Sequence, residues 1–230
     1  MTIFFDIDKT LLDDKYAVKQ ACLAIQHKFS DEIDIHIKDF LQIWNEALEE
    51  YFKLYLEGKI TFQEQRMKRV AKVFELDKNQ MEHGIADEIF QFYLKEYENN
   101  WRLFADARPC LEELRDNTLG IISNGDSTQQ IKKLRKMGIK NYFKSINISS
   151  KVGHSKPEQK IFKHACNSLN TDPKNCVYIG DKFEDDAMAC EKIGMTGVWL
   201  NRKQEKRDTG DLKAINNLED LPDLLQDIIV

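Results

Sequence analysis

The sequence predicts an α/β fold, a doubly wound parallel-sheet core interrupted by an inserted helical bundle. Three observations lead there. Short apolar runs recur that each stop in polar or acidic residues, as buried strands do where they leave a sheet: Ile3-Phe4-Phe5 before Asp6, Leu119 to Ile122 before Ser123, and Val177-Tyr178-Ile179 before Gly180-Asp181. Between the first two runs, apolar residues keep a helical spacing. From about Trp101, strands and helices alternate, which is the pattern of a sheet covered by helices. Pattern alone assigns residues 1–14 and 98–230 to the α/β core and residues 15–97 to the helical bundle.

The chain has 230 residues, enough for one sizeable domain or for a domain with an insert. Its net charge of -5 argues against a nucleic-acid partner, because such proteins carry a basic face. The five cysteines are scattered without a C-x-x-C pair and read as reduced core thiols, not a disulfide framework. No stretch approaches the roughly 20 apolar residues of a membrane span, and the N-terminal apolar run is broken at Asp6, unlike a signal peptide. No membrane partner and a cytoplasmic location are expected. Whether the chain is a monomer or a homodimer stays open.

Taken in order, the elements follow from spacing. Val18, Cys22, Ile25 and Phe29 recur at helical intervals, and Phe40, Ile43, Trp44, Ala47, Leu48, Tyr51 and Tyr55 make a longer stripe. Gly58 interrupts it. Thr61-Phe62-Gln63-Glu64 fits a capping box, in which Thr and Glu satisfy free backbone N–H groups at a helix start. Met67, Val70, Ala71 and Phe74 carry that helix on, and Ile85, Ile89, Phe92 and Tyr93 mark another. Helices with such short joints read as a small bundle. His27, His36 and His83 are isolated and read as structural or surface residues. In the second half Cys110, Leu111 and Leu114 begin a helix. Ile131, Leu134 and Met137 form the next, which Gly138 stops. Tyr142 to Ser149 offers a strand and Gly197 to Leu200 a further one. Asn201 to Asp211 reads as a charged loop without recognisable chemistry, and Ile215 to Leu225 as an edge strand followed by a final helix.

Four segments carry chemistry. Asp6-Ile7-Asp8-Lys9-Thr10 places two carboxylates one residue apart where a strand ends, and open α/β sheets bind ligands just beyond the carboxyl ends of their strands. Ser123-Asn124-Gly125-Asp126 follows a second strand with a hydroxyl and a turn into a helix, an arrangement suited to phosphate. In Gly153-His154-Ser155-Lys156-Pro157, the proline holds Lys156 out of the helical region at a helix start. The fourth segment, Gly180-Asp181-Lys182-Phe183-Glu184-Asp185-Asp186, crowds acids that repel unless a cation compensates them. Mg²⁺, which prefers oxygen ligands, suits that composition.

These segments, in this order, resemble the motifs of the haloacid dehalogenase-like (HAD) hydrolase superfamily, in its phosphatase branch. The helical insert after the first segment resembles the C1-type cap of those enzymes. The resemblance implies a Rossmann-like core and Mg²⁺-dependent hydrolysis of a small phosphorylated metabolite through an aspartyl-phosphate. Asp6 is then the nucleophile and Asp8 the general acid and base. Thr10 and Ser123 hold phosphoryl oxygens or orient Asp8, and Asn124 adds a backbone or side-chain donor. Lys156 neutralises Asp6 and the incoming phosphate. Asp6, the backbone carbonyl of Asp8 and Asp181 supply oxygens to Mg²⁺. Asp186, with Asp185 as the alternative, holds a metal-bound water or Lys156. A carboxylate at Asp8 favours a phosphatase, since dehalogenating relatives lack it; a phosphomutase or a non-catalytic interaction module are the rival readings. Lys9 stands where Gly is frequent in the family, Lys151 where an acid is frequent, and Lys182 where a small polar residue is frequent. The cap of such enzymes closes over the site and selects substrate. Gly58-Lys59-Ile60-Thr61 with Arg69 is loosely like the cap of nucleotidase-like members, although Arg69 equally fits a solvated helix position. Sugar phosphates, nucleotides and phosphoserine all remain open as substrates.

Overall fold

The computed structural model describes residues 1–30, 35–76 and 84–229; His83 lies outside the described residues. In chain order, among the described residues, β1 (Thr2–Phe5) is followed by four helices, α1 (Asp14–Lys28), α2 (Ile37–Leu56), α3 (Phe62–Val73) and α4 (Ile85–Asn99). Then come α5 (Ala107–Glu113), β2 (Thr118–Ser123), α6 (Ser127–Lys136), β3 (Phe143–Ile148), α7 (Gln159–Ser168) and β4 (Cys176–Gly180). β5 (Thr196–Leu200), β6 (Lys213–Ile215) and α8 (Leu221–Ile229) complete the chain. The chain divides into two compact units. Met1–Asp13 and Arg102–Val230 form one, and Asp14–Trp101 forms the other.

The first unit is built on a six-stranded sheet in the order β3-β2-β1-β4-β5-β6, with every pairing parallel. β1 lies in the middle and is buried along its whole length, which explains why it is apolar from Ile3 to Phe5 and not alternating. The order reverses beside it: β2 and β3 lie to one side, β4 to β6 to the other. In doubly wound sheets such a switch point opens a crevice at the carboxyl ends of the strands. Asp6 leaves β1 at that point, its N–H donating to the Ile179 carbonyl of β4 at 2.9 Å. One face of the sheet packs Phe4, Ile122 and Tyr178 against Ile161, Phe162 and Ala165 of α7. Each large apolar side chain buried in this way contributes about 1.5–3 kcal/mol.

Several local details differ from the spacing. β3 is shorter than the strand expected over Tyr142–Ser149, because Lys140–Tyr142 form a 3₁₀ turn and Ser149–Val152 a helical turn. Ser149 is drawn out of the strand by its own hydroxyl, which accepts from the Gly125 N–H at 2.9 Å. α5 begins at Ala107, ahead of Cys110; Pro109 falls in its first turn, where the missing N–H is harmless. After β4 the chain winds into a π-helical turn, Phe183–Met188. This turn brings Asp186 so close that a Cβ on Gly180 would meet its Oδ2 at 2.3 Å. Gly180 is therefore fixed by close approach. The ends of the first unit's two segments are tied side by side. The Asp13 N–H donates to the Arg102 carbonyl at 3.0 Å and the Phe104 N–H to that of Leu11 at 3.0 Å, while the Arg102 guanidinium pairs with the Asp13 carboxylate at 2.6 Å.

The helical unit has its own core. Phe40, Trp44 and Ala47 of α2, Val70 of α3, and Ala86, Ile89, Phe90, Tyr93 and Tyr97 of α4 are buried. Their rings meet in a chain: Phe40 on Trp44, Trp44 on Tyr93 with centroids 4.4 Å apart, and Tyr93 on Tyr97. The Thr61 capping box forms as spelled, with the Glu64 N–H donating to Thr61 Oγ1 at 3.1 Å and the Thr61 N–H to Glu64 Oε2 at 2.7 Å. His27 is exposed, and His36 caps α2 by accepting from the Lys38 N–H. Among the described residues, no helix is long and apolar enough to cross a membrane.

Candidate active site

The carboxyl ends of β1, β2 and β4, with the turn after β3, deliver the four chemical segments to one place in the sheet unit. Lys156 is at its centre. The residue is 6% exposed, and its ammonium donates to three acceptors: Asp6 Oδ1 at 2.8 Å, Asp186 Oδ1 at 2.7 Å and the Tyr178 hydroxyl at 2.8 Å. Three donors meet three acceptors, so the ammonium is satisfied. Burial works against its charge, but Asp186 and Asp6 outweigh that and hold the ammonium above its ordinary pKa. Asp6 lies the other way. Burial chiefly, with Asp186 and Asp8 adding, raises its carboxyl above the usual value, and Lys156 only partly offsets this.

The acids of the fourth segment divide by position. Asp186 is fully buried; its Oδ1 takes Lys156 and its Oδ2 accepts the Lys182 N–H at 3.0 Å. Asp185, the alternative for that role, points elsewhere: it pairs with the half-exposed Lys182 ammonium at 3.2 Å, because the π-helical turn rotates it away from Lys156. Asp181 is pushed up to about 7 by burial, then by Asp6 and Asp186. One carboxylate oxygen from each of Asp6, Asp181 and Asp186 lies within 4.8 Å of the others. A single ammonium among these acids leaves negative charge uncompensated. With both Asp186 oxygens engaged, Asp6 and Asp181 are the pair that could hold a divalent cation, which fits the oxygen-only chemistry of Mg²⁺.

Asp8 sits apart from this cluster, and its partners were not foreseen. The Lys133 ammonium donates to both of its oxygens, at 2.6 and 2.8 Å, and Gln130 Nε2 to Oδ2 at 2.9 Å. Gln130 also reaches Ser123 Oγ at 3.1 Å. Both side chains come from α6, one turn apart, and both are buried. A Gln and a Lys on a short polar helix read as surface. The available signal was their spacing with Leu134 on one face behind the N-cap Asp126. Tyr178 was also missed, since a Tyr inside an apolar strand reads as core.

The remaining sequence candidates are placed as follows. Asn124 clamps the Lys156 backbone, accepting its N–H at 2.8 Å and donating to its carbonyl at 3.0 Å. One of the two Nδ2 hydrogens and the Oδ1 acceptor are thereby used, so the second Nδ2 hydrogen and the backbone N–H remain as donors. Thr10 is fully buried and its hydroxyl has no partner. It does not orient Asp8, which Lys133 and Gln130 hold instead. Its carbonyl accepts from Arg202 at 2.9 Å, and Arg202 grips Asp106 through two hydrogen bonds of 2.7 and 2.9 Å. The loop after β5 therefore fastens the Asp6–Thr10 turn, which its charged composition did not reveal. Lys9 within that turn adopts φ +65°, the left-handed region where glycine is strain-free. That accounts for the frequency of Gly at this position in the resembled family.

The family model for haloacid dehalogenase-like hydrolases matches residues 1–194. The chain belongs to the haloacid dehalogenase-like hydrolases. Within the HAD-like hydrolases it is similar to the N-acylneuraminate-9-phosphatase of Mus musculus, at 26% identity over 98% of this chain and 94% of the relative. It is also similar to the pyrimidine 5'-nucleotidase YjjG of Escherichia coli, at 32% identity over 52% of this chain and 55% of the relative. Among solved structures, the HAD-hydrolase YfnB from Bacillus subtilis, crystallised with magnesium, superimposes with a TM-score of 0.82 at 24% identity over 98% of both chains. The 2-haloacid dehalogenase from Pseudomonas syringae gives a TM-score of 0.70 at 25% identity, again over 98% of both.

Proposed function

We propose that this HAD-like hydrolase is a magnesium-dependent phosphomonoesterase that acts on a small phosphorylated metabolite through an aspartyl-phosphate. The observation that carries the reading is the buried Asp6 carboxylate held at 2.8 Å by Lys156, with a second carboxylate, Asp8, one residue on in the same turn. A carboxylate is an established nucleophile for phosphoryl transfer. An Asp6 oxygen attacks phosphorus while the bond from phosphorus to the ester oxygen breaks, and Asp8 gives its proton to the departing alkoxide. Asp8 then takes a proton from water as that water attacks phosphorus. The bond to Asp6 breaks, and inorganic phosphate leaves. Lys156 compensates charge in a site that water enters poorly. Ser123 Oγ and the backbone of the Asn124 turn supply contacts to the phosphoryl oxygens. Bound Mg²⁺, held by Asp6, Asp181 and the Asp8 carbonyl, supplies charge neutralisation.

The relatives' names support the substrate class, since an N-acylneuraminate-9-phosphatase, glyceraldehyde 3-phosphate phosphatases and a pyrimidine 5'-nucleotidase all take small phosphate esters. The helical unit, inserted directly after the first motif, is the proposed cap that chooses among them. The five buried, unpaired thiols favour a reducing, cytoplasmic setting.

The decisive experiment is an acid quench followed by mass spectrometry. Asp8→Asn, supplied with Mg²⁺ and an activated phosphate donor, accumulates a phosphate adduct on Asp6. It loses about 10²–10⁴-fold in turnover of alkyl esters and less with p-nitrophenyl phosphate, whose leaving group needs no proton. An adduct on Asp8, or full turnover in chelator-treated protein, overturns the reading.

A further inference from the structure

Tyr178 touches Lys156, yet the chemistry above gives it no task. It belongs to β4 and is fully buried, with its ring edge-on to Phe162 of α7 at 5.3 Å between centroids. Its hydroxyl oxygen lies 2.8 Å from the Lys156 ammonium, 2.9 Å from the Ile122 carbonyl of β2 and 3.1 Å from Asp186 Oδ1. All of these residues belong to the sheet unit.

A phenol carries one hydrogen and accepts through its oxygen lone pairs, whereas an ammonium only donates. Toward Lys156 the phenol therefore accepts, and its own hydrogen must go elsewhere. Asp186 Oδ1 already takes an ammonium hydrogen at 2.7 Å and is the farther candidate; the Ile122 carbonyl is the nearer. Donation runs from Lys156 to Tyr178 and on to Ile122, so the β2 backbone fixes the direction in which the phenol offers its lone pair. Burial, then Asp186 and Asp6, hold the phenol well above its ordinary pKa, which keeps it neutral.

Neutrality matters at this position. Two of the three ammonium hydrogens already meet carboxylates. A third carboxylate would cancel charge that the reaction needs. An apolar wall would strand the hydrogen, a costly gap that the ammonium could relieve only by turning away from Asp6. A water would satisfy the hydrogen but would weaken the ammonium's field in a site that works by electrostatics. A buried phenol satisfies it, adds no charge and excludes water.

We propose that Tyr178 is a positioning residue that holds the Lys156 ammonium on Asp6 without lowering its charge. The inference rests on the phosphatase reading. Tyr178 acts through Lys156 and not on the ester itself.

The test is Tyr178→Phe, which deletes one oxygen and keeps the ring against Phe162. With Mg²⁺, kcat for p-nitrophenyl phosphate and for glycerol 1-phosphate should fall by roughly tenfold or more, the scale on which misplaced groups lose rate. Each KM should stay within about twofold, as expected when an interaction made in the transition state is lost. The two losses should be equal, because the phenol serves the attacking side and not the proton that Asp8 delivers. Rates are referred to the folded fraction measured by urea unfolding. A chain that melts earlier but keeps the parent's kcat makes the phenol merely structural and overturns the proposal. So does a raised KM at unchanged kcat, or a loss confined to the glycerol ester. Should Tyr178→Phe fail to fold, Tyr178→Met removes the same acceptor and is read in the same way. Failure of the phosphatase reading looks different: the wild-type chain itself releases no phosphate from either ester, and the positioning role falls with it.

Discussion

Lys156 in the sheet unit and Arg69 in the helical unit are buried to nearly the same depth, 6% and 5% exposed, yet their surroundings are opposite in kind. Lys156 is met by two carboxylates and a phenol, each within 2.8 Å. Arg69 is met by three ring faces and leaves two N–H groups empty. The first arrangement is finished before any ligand arrives, so its donors and acceptors need no rearrangement when charge develops. The second leaves Nε and Nη2 of a permanent cation without an oxygen partner. Burial alone thus says little about a charged residue; the inventory of its partners separates a cation held by carboxylates from one held by rings.

Four substitutions test that contrast, in falling order of effect. Asp6→Asn removes the attacking oxygen anion while Asp186 still pairs with Lys156. Turnover should drop by at least ~10⁴-fold, equivalent to more than about 5 kcal/mol of barrier, with little loss in melting temperature. A variant that keeps turning over, or that unfolds, contradicts the view that the centre is held together by Lys156 and not by Asp6. Lys156→Met leaves Asp6 and Asp186 buried without their cation, and removing one partner of a buried pair costs about 3–5 kcal/mol. Urea unfolding should show that loss; an unchanged midpoint would mean the ammonium is not the keystone of the finished site.

Lys133→Met releases Asp8 from its tether without touching Asp6. A fall of roughly 10–100-fold is expected for alkyl phosphates, within the range of general acid–base catalysis, and a clearly smaller one for p-nitrophenyl phosphate. Equal losses with both esters would make Lys133 merely structural, whereas rescue by Lys133→Arg would strengthen the positioning role. Arg69→Met is the counterpart of Lys156→Met. It removes ring contacts worth about 0.5–2 kcal/mol but also two orphaned donors that cost a similar amount. Its stability should stay within about 1 kcal/mol of the parent, and a loss comparable to that of Lys156→Met would erase the distinction between the two cations.

The sheet and its reactive centre were legible because strand ends announce themselves. Asp6, Ser123 and Asp181 each terminate an apolar run, and the topology of a doubly wound sheet carries such ends to one edge. Lys156 was legible from its place before Pro157. What escaped detection came from side chains whose burial is decided by tertiary packing. Gln130 and Lys133 lie on a helix with little apolar residue content, and nothing local tells that they face Asp8 and not water. Arg202 lies in a loop dense with charge, where one member reaching Asp106 and Thr10 looks like its neighbours. Asp185 and Asp186 could not be separated by spacing because a π-helical turn, not an α-helical one, sets their directions. Arg69 fitted a solvated position as well as a ligand contact; only three-dimensional enclosure by rings from α2 and α4 distinguishes them.

The paired ends at Asp13 and Arg102 have a consequence for how this chain could have been assembled and could be rebuilt. Their backbone bond of 3.0 Å means that, from the sheet's side, everything between them is a loop of almost no span. Closing such a loop costs entropy that rises only with the logarithm of its length, and sites where chain ends already touch are those that accept insertion. The sheet unit can therefore exchange one insert for another, or for a short bridge of glycines, without moving a strand. If the insert is the cap proposed above, a transplanted insert from a relative should change the substrate range on the same sheet unit, which turnover of a panel of phosphate esters would read.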